Sequence, residues 1–210
     1  MGRRKKIQQL TLAAFFVAVE IIMWLTPIGY IPLGAINITT MHLPVILAGM
    51  TMGPAYGALM GFVFGMTSLI RATFQPGITS FIFSPFITVG GIHGNFWSLL
   101  IAWGPRILLG WLSGQMFRFL KKKKMNQHLA AALTAACNTM IHTLLVMGMI
   151  WVFFADPYAQ ALGLSKAAAG AAVIGVITSN GILETILAAV VIPVLVRALR
   201  PSIERMGLNE

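Results

Sequence analysis

The sequence predicts an all-α, polytopic membrane protein: a single transmembrane domain over residues 1–210, with six transmembrane helices and both termini in the cytoplasm. Three observations carry this prediction. Of the 210 residues, 58% are hydrophobic and only 10% charged, with mean hydropathy +0.84. A soluble domain carries about 25% charged residues, so this chain cannot cover itself for water. The apolar residues also gather into long runs that read as helices, because an open sheet cannot satisfy its backbone in lipid. Finally, twelve of the fifteen basic residues fall at three places: Arg3 to Lys6, Arg118 with Lys121 to Lys124, and Arg197, Arg200 and Arg205. An even number of spans with the N-terminus inside puts all three in the cytoplasm. The net charge of +10 therefore reports topology and attraction to anionic lipid, not a nucleic-acid partner.

The first run covers residues 7–25 and ends at Pro27. Its basic start resembles a signal peptide, but no small-residue cleavage site follows and Glu20 interrupts it, so it reads as a retained helix. The second, 40–52, stops at GPAYG (53–57), and the third covers 55–71. These two give only ~20 and ~26 Å of helix against ~30 Å of hydrocarbon, so tilt or incomplete crossing is expected of them. A stretch rich in Gly, Pro, Ser and Thr follows and contains TSFIFSPF (79–86). The fourth run covers 96–120 and ends at the lysines. The fifth, 129–154, ends at ADPYAQALGLS (155–165), and the sixth covers 167–199 and ends at Pro201. Connections 26–40, 72–96 and 155–166 then face outside. All are long, whereas the inner turn at 53–57 is tight, so the working face is expected outside.

Small residues recur at helical spacing. Gly49, Gly53, Gly57, Gly61 and Gly65 stand four apart, which places Gly57, Gly61 and Gly65 on one face and predicts close helix packing. Ala14 and Ala18 form an AxxxA pair in the first helix, open to either internal packing or docking of another membrane protein.

Ionisable and amide side chains at membrane depth are costly and are functional candidates. Glu20 lies about 20 Å above the inner end of the first helix. Asn138 and His142 stand one turn apart on the fifth helix, Asn180 and Glu184 one turn apart on the sixth, and Arg106 lies within the fourth. Their heights cluster near mid-membrane. Both pairs fit interhelical hydrogen bonds as well as ligand contacts. Arg106, in WGPRILLGW, needs either a carboxylate partner such as Glu184 or Glu20, or an anionic ligand. Arg71, at the outer mouth of the third helix, is open to the same role or to snorkelling. Trp97 and Trp103 read as interface anchors. The outer loop PLGAINITTMHLP (32–44) sets Asn37, Thr39, Thr40 and His42 between two prolines. That favours an ordered cap with Asn37 as its ligand candidate, while His42, nearer the helix, reads as a packing group.

Enzymatic motifs are absent. There is no G-x-x-x-x-G-K-[ST], no H-E-x-x-H, no G-x-S-x-G and no Cys/His metal spacing, so neither enzyme activity, cofactor nor metal is expected. Cys137 is the single cysteine, so no internal disulfide forms.

A small six-span chain with a basic N-terminus, AxxxA in its first helix and long outer loops resembles the substrate-binding (S) component of energy-coupling factor (ECF) vitamin transporters. GYIPLGAINITTMHLPVILAGMTMGPAYGALMGFVFGMTSLI (29–70), TSFIFSPF and NGILETILAAVVIPVLV (180–196) are similar to the pantothenate-type members, whose relatives for pyridoxine, thiamine precursors and folate share the scaffold. The resemblance implies the S-component fold in a bacterial cell membrane and an ECF module of one scaffold membrane subunit and two cytoplasmic ATPases. It implies docking through Ala14 and Ala18, and a pocket near the outer halves of helices four to six that topples inward to release a small water-soluble vitamin. For a pantothenate anion, Arg71 or Arg106 would suit the carboxylate, and Asn37, Asn138, Asn180 or His142 the hydroxyls and amide, with Glu184 at the same level. Two other readings compete. One is a proton-coupled secondary permease using Glu20, Glu184 and His142, and the other is a structural membrane protein with no ligand.

Overall fold

A computed structural model describes residues 3–33 and 36–205 of the chain. It consists of α1 (Arg3–Leu25), α2 (His42–Met52), α3 (Pro54–Phe74), α4 (Phe96–Lys122), α5 (Gln127–Leu162), α6 (Lys166–Val176) and α7 (Ile182–Arg205). Two short antiparallel hairpins fill the connections after α1 and α3. In the first, β1 (Tyr30–Leu33) pairs with β2 (Ile36–Thr39), and in the second β3 (Thr88–Val89) pairs with β4 (Ile92–His93). A π turn (Ile177–Gly181) joins α6 to α7 without a break in helical backbone angles, so the two form one rod.

Each expected apolar run becomes helix, and two boundaries differ. The connection expected at 155–166 is mostly helical, because α5 breaks once at Phe154 (φ −134°, ψ 20°) and then continues to Leu162. Pro157 falls in the first turn after that break, where its missing N–H removes no helical bond. Gly163, in the left-handed region at φ 64°, ends the helix. The turn expected at 53–57 is Gly53 alone. Its φ of 103° suits glycine, and Pro54 opens α3 immediately after it.

Span length also separates the helices. Lys6–Leu25, Pro54–Phe74, Gln127–Leu162 and Lys166–Leu199 are long and apolar enough to cross a membrane. The 11 residues of α2 are too few. The 27 residues of α4 suffice in length, but its buried face carries Ser98, Arg106, Gly110, Ser113 and Gly114. This helix packs against α2, α3 and α5, so it does not need an apolar surface all round.

The most extensive packing in the bundle joins α3 to α4. Gly57 lies against the Gly110 carbonyl, Gly61 against the Arg106 carbonyl, and Gly65 against Ala102 and Trp103, while Gly49 of α2 meets Gly110 and Gly114. A Cβ at any of these positions would collide with main chain, so the glycine stripe is a packing device, as its spacing predicts. Trp103 lies half-buried over Gly65.

One hydrophobic cluster gathers Phe16, Met41, Ile46, Met60, Phe64, Leu109 and Ile192. A second gathers Phe81, Ile82, Ile101, Val146, Ile150, Phe154 and Val173. Helix α1 turns Ala13, Phe16 and Glu20 inward and leaves Ala14, Ala18, Phe15 and Ile22 exposed.

Gly57→Val should destabilise the protein by at least ~1–3 kcal/mol through overpacking against Gly110. Gly148→Ala, at a helical position with open space around it, should be neutral or slightly stabilising. Thermal unfolding of the two variants in detergent checks the contrast.

Candidate ligand-binding site

The site is built around Arg106. Pro105 has no N–H to give to the carbonyl four residues earlier, which is that of Ile101. The freed Ile101 carbonyl accepts instead from Nη1 of Arg106. The neighbouring proline thus creates the acceptor that holds the guanidinium. Arg106 is 7% exposed, and its charge lies over the rings of Phe64 at 5.4 Å and Phe83 at 5.1 Å. Phe64 belongs to the first apolar cluster, and Ile101 and Phe83 to the second, so the arginine sits where the two meet. Its Nε has no partner among the described residues. The ion pair found among those residues, Lys166 with Asp156 at 2.9 Å, is elsewhere and exposed. Glu184 and Tyr30 are within electrostatic reach of Arg106, but neither bonds it. A buried guanidinium with most of its donors uncommitted is suited to a carboxylate.

The first hairpin is fastened beside this arginine at both of its ends. At the start of β1, the Tyr30 ring lies under Arg71 at 4.0 Å, with Ser68 near the phenol. Burial pushes the Tyr30 phenol above its ordinary value, and the positive charges of Arg106 and Arg71 oppose that shift. The phenol therefore stays protonated at neutral pH and remains a donor. At the end of β2, the Thr39 N–H donates to Oε1 of Glu184 at 2.7 Å, joining residues 145 apart in sequence. Thr40 closes the base of the hairpin, its Oγ1 donating to the Ile28 carbonyl at 2.6 Å. The strand β2 also lies against α7 and the π turn. Within that turn Gly181 packs on Thr143 of α5, and Ser179 donates to Asn180 at 3.2 Å. The segment after α3 contributes its own plug. Phe81 is buried against Phe154, and Ser84 is buried and shares a hydrogen bond of 2.8 Å with Thr73.

Of the residues singled out in the sequence, Arg106, Glu184, His142 and Arg71 converge on this region. Arg71 reaches it through Tyr30, and His142 through Phe64, whose ring lies 6.2 Å away. Asn180 stands on the adjoining π turn. Asn138 points elsewhere: its amide donates to the Thr134 carbonyl at 3.0 Å and contacts the Met116 sulfur at 3.7 Å, so it knits α5 to α4. The side chain of Asn37 lies outside those described. Sequence reasoning missed Tyr30, Phe64, Phe83 and Pro105, and it named Thr39 in the cap without its bond to Glu184. Of these, only Pro105 carried a local signal, through its position four residues after Ile101 and beside an arginine.

The family described as "ECF transporter, substrate-specific component" matches residues 8–196. The chain belongs to that family. This substrate-specific component is 32% identical over 200 residues to the pantothenic acid transporter PanT of Lactococcus lactis subsp. cremoris, covering 94% of this chain and 96% of that protein. It is 27% identical over 211 residues to the pantothenate transporter PanT of Leuconostoc mesenteroides subsp. mesenteroides, covering 97% and 98%. Among solved structures, the S component for biotin from an ECF-type ABC transporter superposes with TM-score 0.57 over 94% of this chain and 95% of that one. At 18% identity that likeness concerns the fold alone. As a transporter substrate-specific component with several apolar helices, the chain is a multi-pass membrane protein and not an enzyme.

Glu184→Ala removes the acceptor that holds the end of β2. Hydrogen exchange at the Thr39 amide should then accelerate by about 3- to 10-fold, as expected for a lost hydrogen bond of ordinary strength. Exchange mass spectrometry on peptides covering 39–41 measures it.

Proposed function

We propose that this substrate-specific component binds pantothenate for an ATP-driven ECF importer. The observation that carries the reading is Arg106: a buried cation, aligned by the carbonyl that Pro105 frees, with no carboxylate within ion-pair distance among the described residues. Pantothenate is a small anion whose one carboxylate would complete that pair and whose hydroxyls and amide would face the polar groups around it. The relatives named for this vitamin support the choice, since their similarity runs almost the whole length of the chain.

In this reading six helical segments build the transmembrane domain with both termini inside; α4 crosses by virtue of its neighbours, and α2, too short to span alone, completes its passage together with the hairpin before it. The ligand carboxylate takes Arg106, and Arg71 stands in reserve behind Tyr30. His142 and Asn180 line the remainder with Asn37, while Glu184 fastens the hairpin from the side. Asn138 serves the α4–α5 contact below them. Uphill uptake draws on partner ATPases, because the chain carries no phosphate-binding loop of its own. The scaffold subunit docks on the exposed Ala14 and Ala18 face of α1, and toppling of the loaded subunit delivers the vitamin inward.

Thermal-shift measurements on the purified chain with a panel of vitamins test the ligand. Pantothenate at 100 times its dissociation constant should add about 2.7 kcal/mol. A shift with another vitamin and none with pantothenate overturns the assignment. Uptake into vesicles lacking ATP and partner subunits would instead establish a secondary permease. Arg106→Ala should weaken pantothenate by at least ~100-fold, the cost of losing a buried charge-assisted pair, while leaving a neutral vitamin unaffected. Pro105→Ala should raise thermal stability and lower pantothenate affinity together, because the restored N–H competes with Arg106 for the Ile101 carbonyl. Isothermal titration beside thermal unfolding reads both effects.

A further inference from the structure

Buried polar atoms are nearly always paired, and each one left bare in a native protein asks for an explanation. Among the described residues, four bare nitrogens belong to neighbouring side chains: Nε of Arg106, Nε2 of His142, and both Nδ1 and Nε2 of His42. They come from three helices, α4, α5 and α2. Arg106 and His142 flank the same ring, that of Phe64, at 5.4 and 6.2 Å. His142 is in turn within electrostatic reach of both Arg106 and His42. Main-chain groups of Thr39 and Glu184 lie close enough to engage the His42 ring, though outside strict hydrogen-bond geometry to either nitrogen.

The other bare atoms have different standing. Those of Thr134, Thr139 and Thr185 are hydroxyls within helices, which can turn toward carbonyls of their own helix. Trp103 Nε1 belongs to the ring that packs over Gly65, and the Glu20 oxygens stand on α1. The imidazole of His42 has main-chain carbonyls of Thr39 and Glu184 beside it, which can take the ring N–H but can offer nothing to its acceptor nitrogen. At 1% exposure it reaches no water either.

The sequence alone suggests that His42 is a packing group. A packing group does not need two nitrogens, and a histidine whose acceptor nitrogen faces no donor is a poor choice for one. What two bare imidazoles can do is specific. In its neutral form each ring offers one donor and one acceptor, a match for a hydroxyl or an amide, which also both gives and accepts. An arginine offers donors only and so reads the anionic end of a ligand.

We propose that His42 is a specificity-determining residue which, with His142, reads the hydroxyl and amide portion of the ligand whose carboxylate pairs with Arg106. This assignment rests on the pantothenate reading above. It divides recognition in two: the guanidinium selects for negative charge, and the imidazoles select among anions by their neutral polar groups.

The test compares pantothenate with N-(3,3-dimethylbutanoyl)-β-alanine, which keeps the carboxylate and amide but lacks both hydroxyls. Isothermal titration uses the full chain in detergent, as wild type and as His42→Leu. Wild type should prefer pantothenate by well over ~10-fold, because a site built for hydroxyls is left unpaired by an analogue lacking them. In the variant, pantothenate should weaken by about 10- to 100-fold while the analogue changes by less than about 3-fold, so that discrimination collapses. The ligand-free melting temperature should hold or rise, since an unsatisfied buried group has been removed. His42→Gln, which keeps a donor and an acceptor, should restore part of the discrimination, and it also serves if the leucine variant does not fold. Equal weakening of both ligands, or unchanged discrimination with a lower melting temperature, makes His42 a packing residue and overturns the proposal. A wild-type chain that binds neither compound overturns the pantothenate reading itself, and this assignment with it.

Discussion

The close approach of α3 and α4 is the constraint on which the site depends. Glycines at every fourth position of α3 let its backbone touch that of α4, and Gly61 meets the main chain of Arg106 itself. In a membrane, where apolar burial does not distinguish protein from lipid, such contacts supply van der Waals attraction that larger side chains would prevent. The consequence for function is positional. With the two helices locked at this distance, Phe64 of α3 comes under the guanidinium of α4, and the arginine is stabilised by an aromatic face instead of a carboxylate.

The second element is a helix defect used as an anchor. A proline inside α4 leaves the Ile101 carbonyl without its normal donor, and burial away from water would make that oxygen costly. The adjacent arginine satisfies it with one nitrogen and keeps the rest of its fork for other use. A similar economy appears at the other wall, where the π turn between α6 and α7 precedes Glu184, and Glu184 accepts the last N–H of β2. Irregular backbone at membrane depth is tolerated where it is enclosed by protein, and here both irregularities border the same polar region.

The biotin S component shares the fold at 18% identity. A shared helical scaffold therefore does not carry a ligand with it, and the ligand has to be argued from the side chains. In this chain Arg106 stands at the junction of the two apolar clusters with His142 and Tyr30 within electrostatic reach, an arrangement with both charged and neutral hydrogen-bonding groups.

Much of this was legible in the sequence, and the reason is physical. Membrane residence follows from composition, helical state from the need to satisfy backbone in lipid, and the α3 packing face from a period of four, all properties of local stretches. Arg106, His142 and Glu184 were conspicuous because ionisable groups at depth are expensive wherever the helices lie. The continuation of α5 past Phe154 was not legible, since ADPYAQALGLS has the residues of a loop and only the break at Phe154 puts Pro157 in a harmless first turn. His42 looked like packing because a ring beside Pro44 gives no sign of whether its nitrogens find partners. The stacking of Arg71 on Tyr30, the Thr39–Glu184 bond and the diversion of Asn138 to Met116 were equally hidden. Each joins residues far apart in the chain, and such pairs depend on how closely helices approach and in what rotation. Thus the sequence by itself determined the membrane bundle and the polar residues worth suspecting. The tertiary structure decided which of them meet, because contact across helices depends on backbone approach, which no single helix contains.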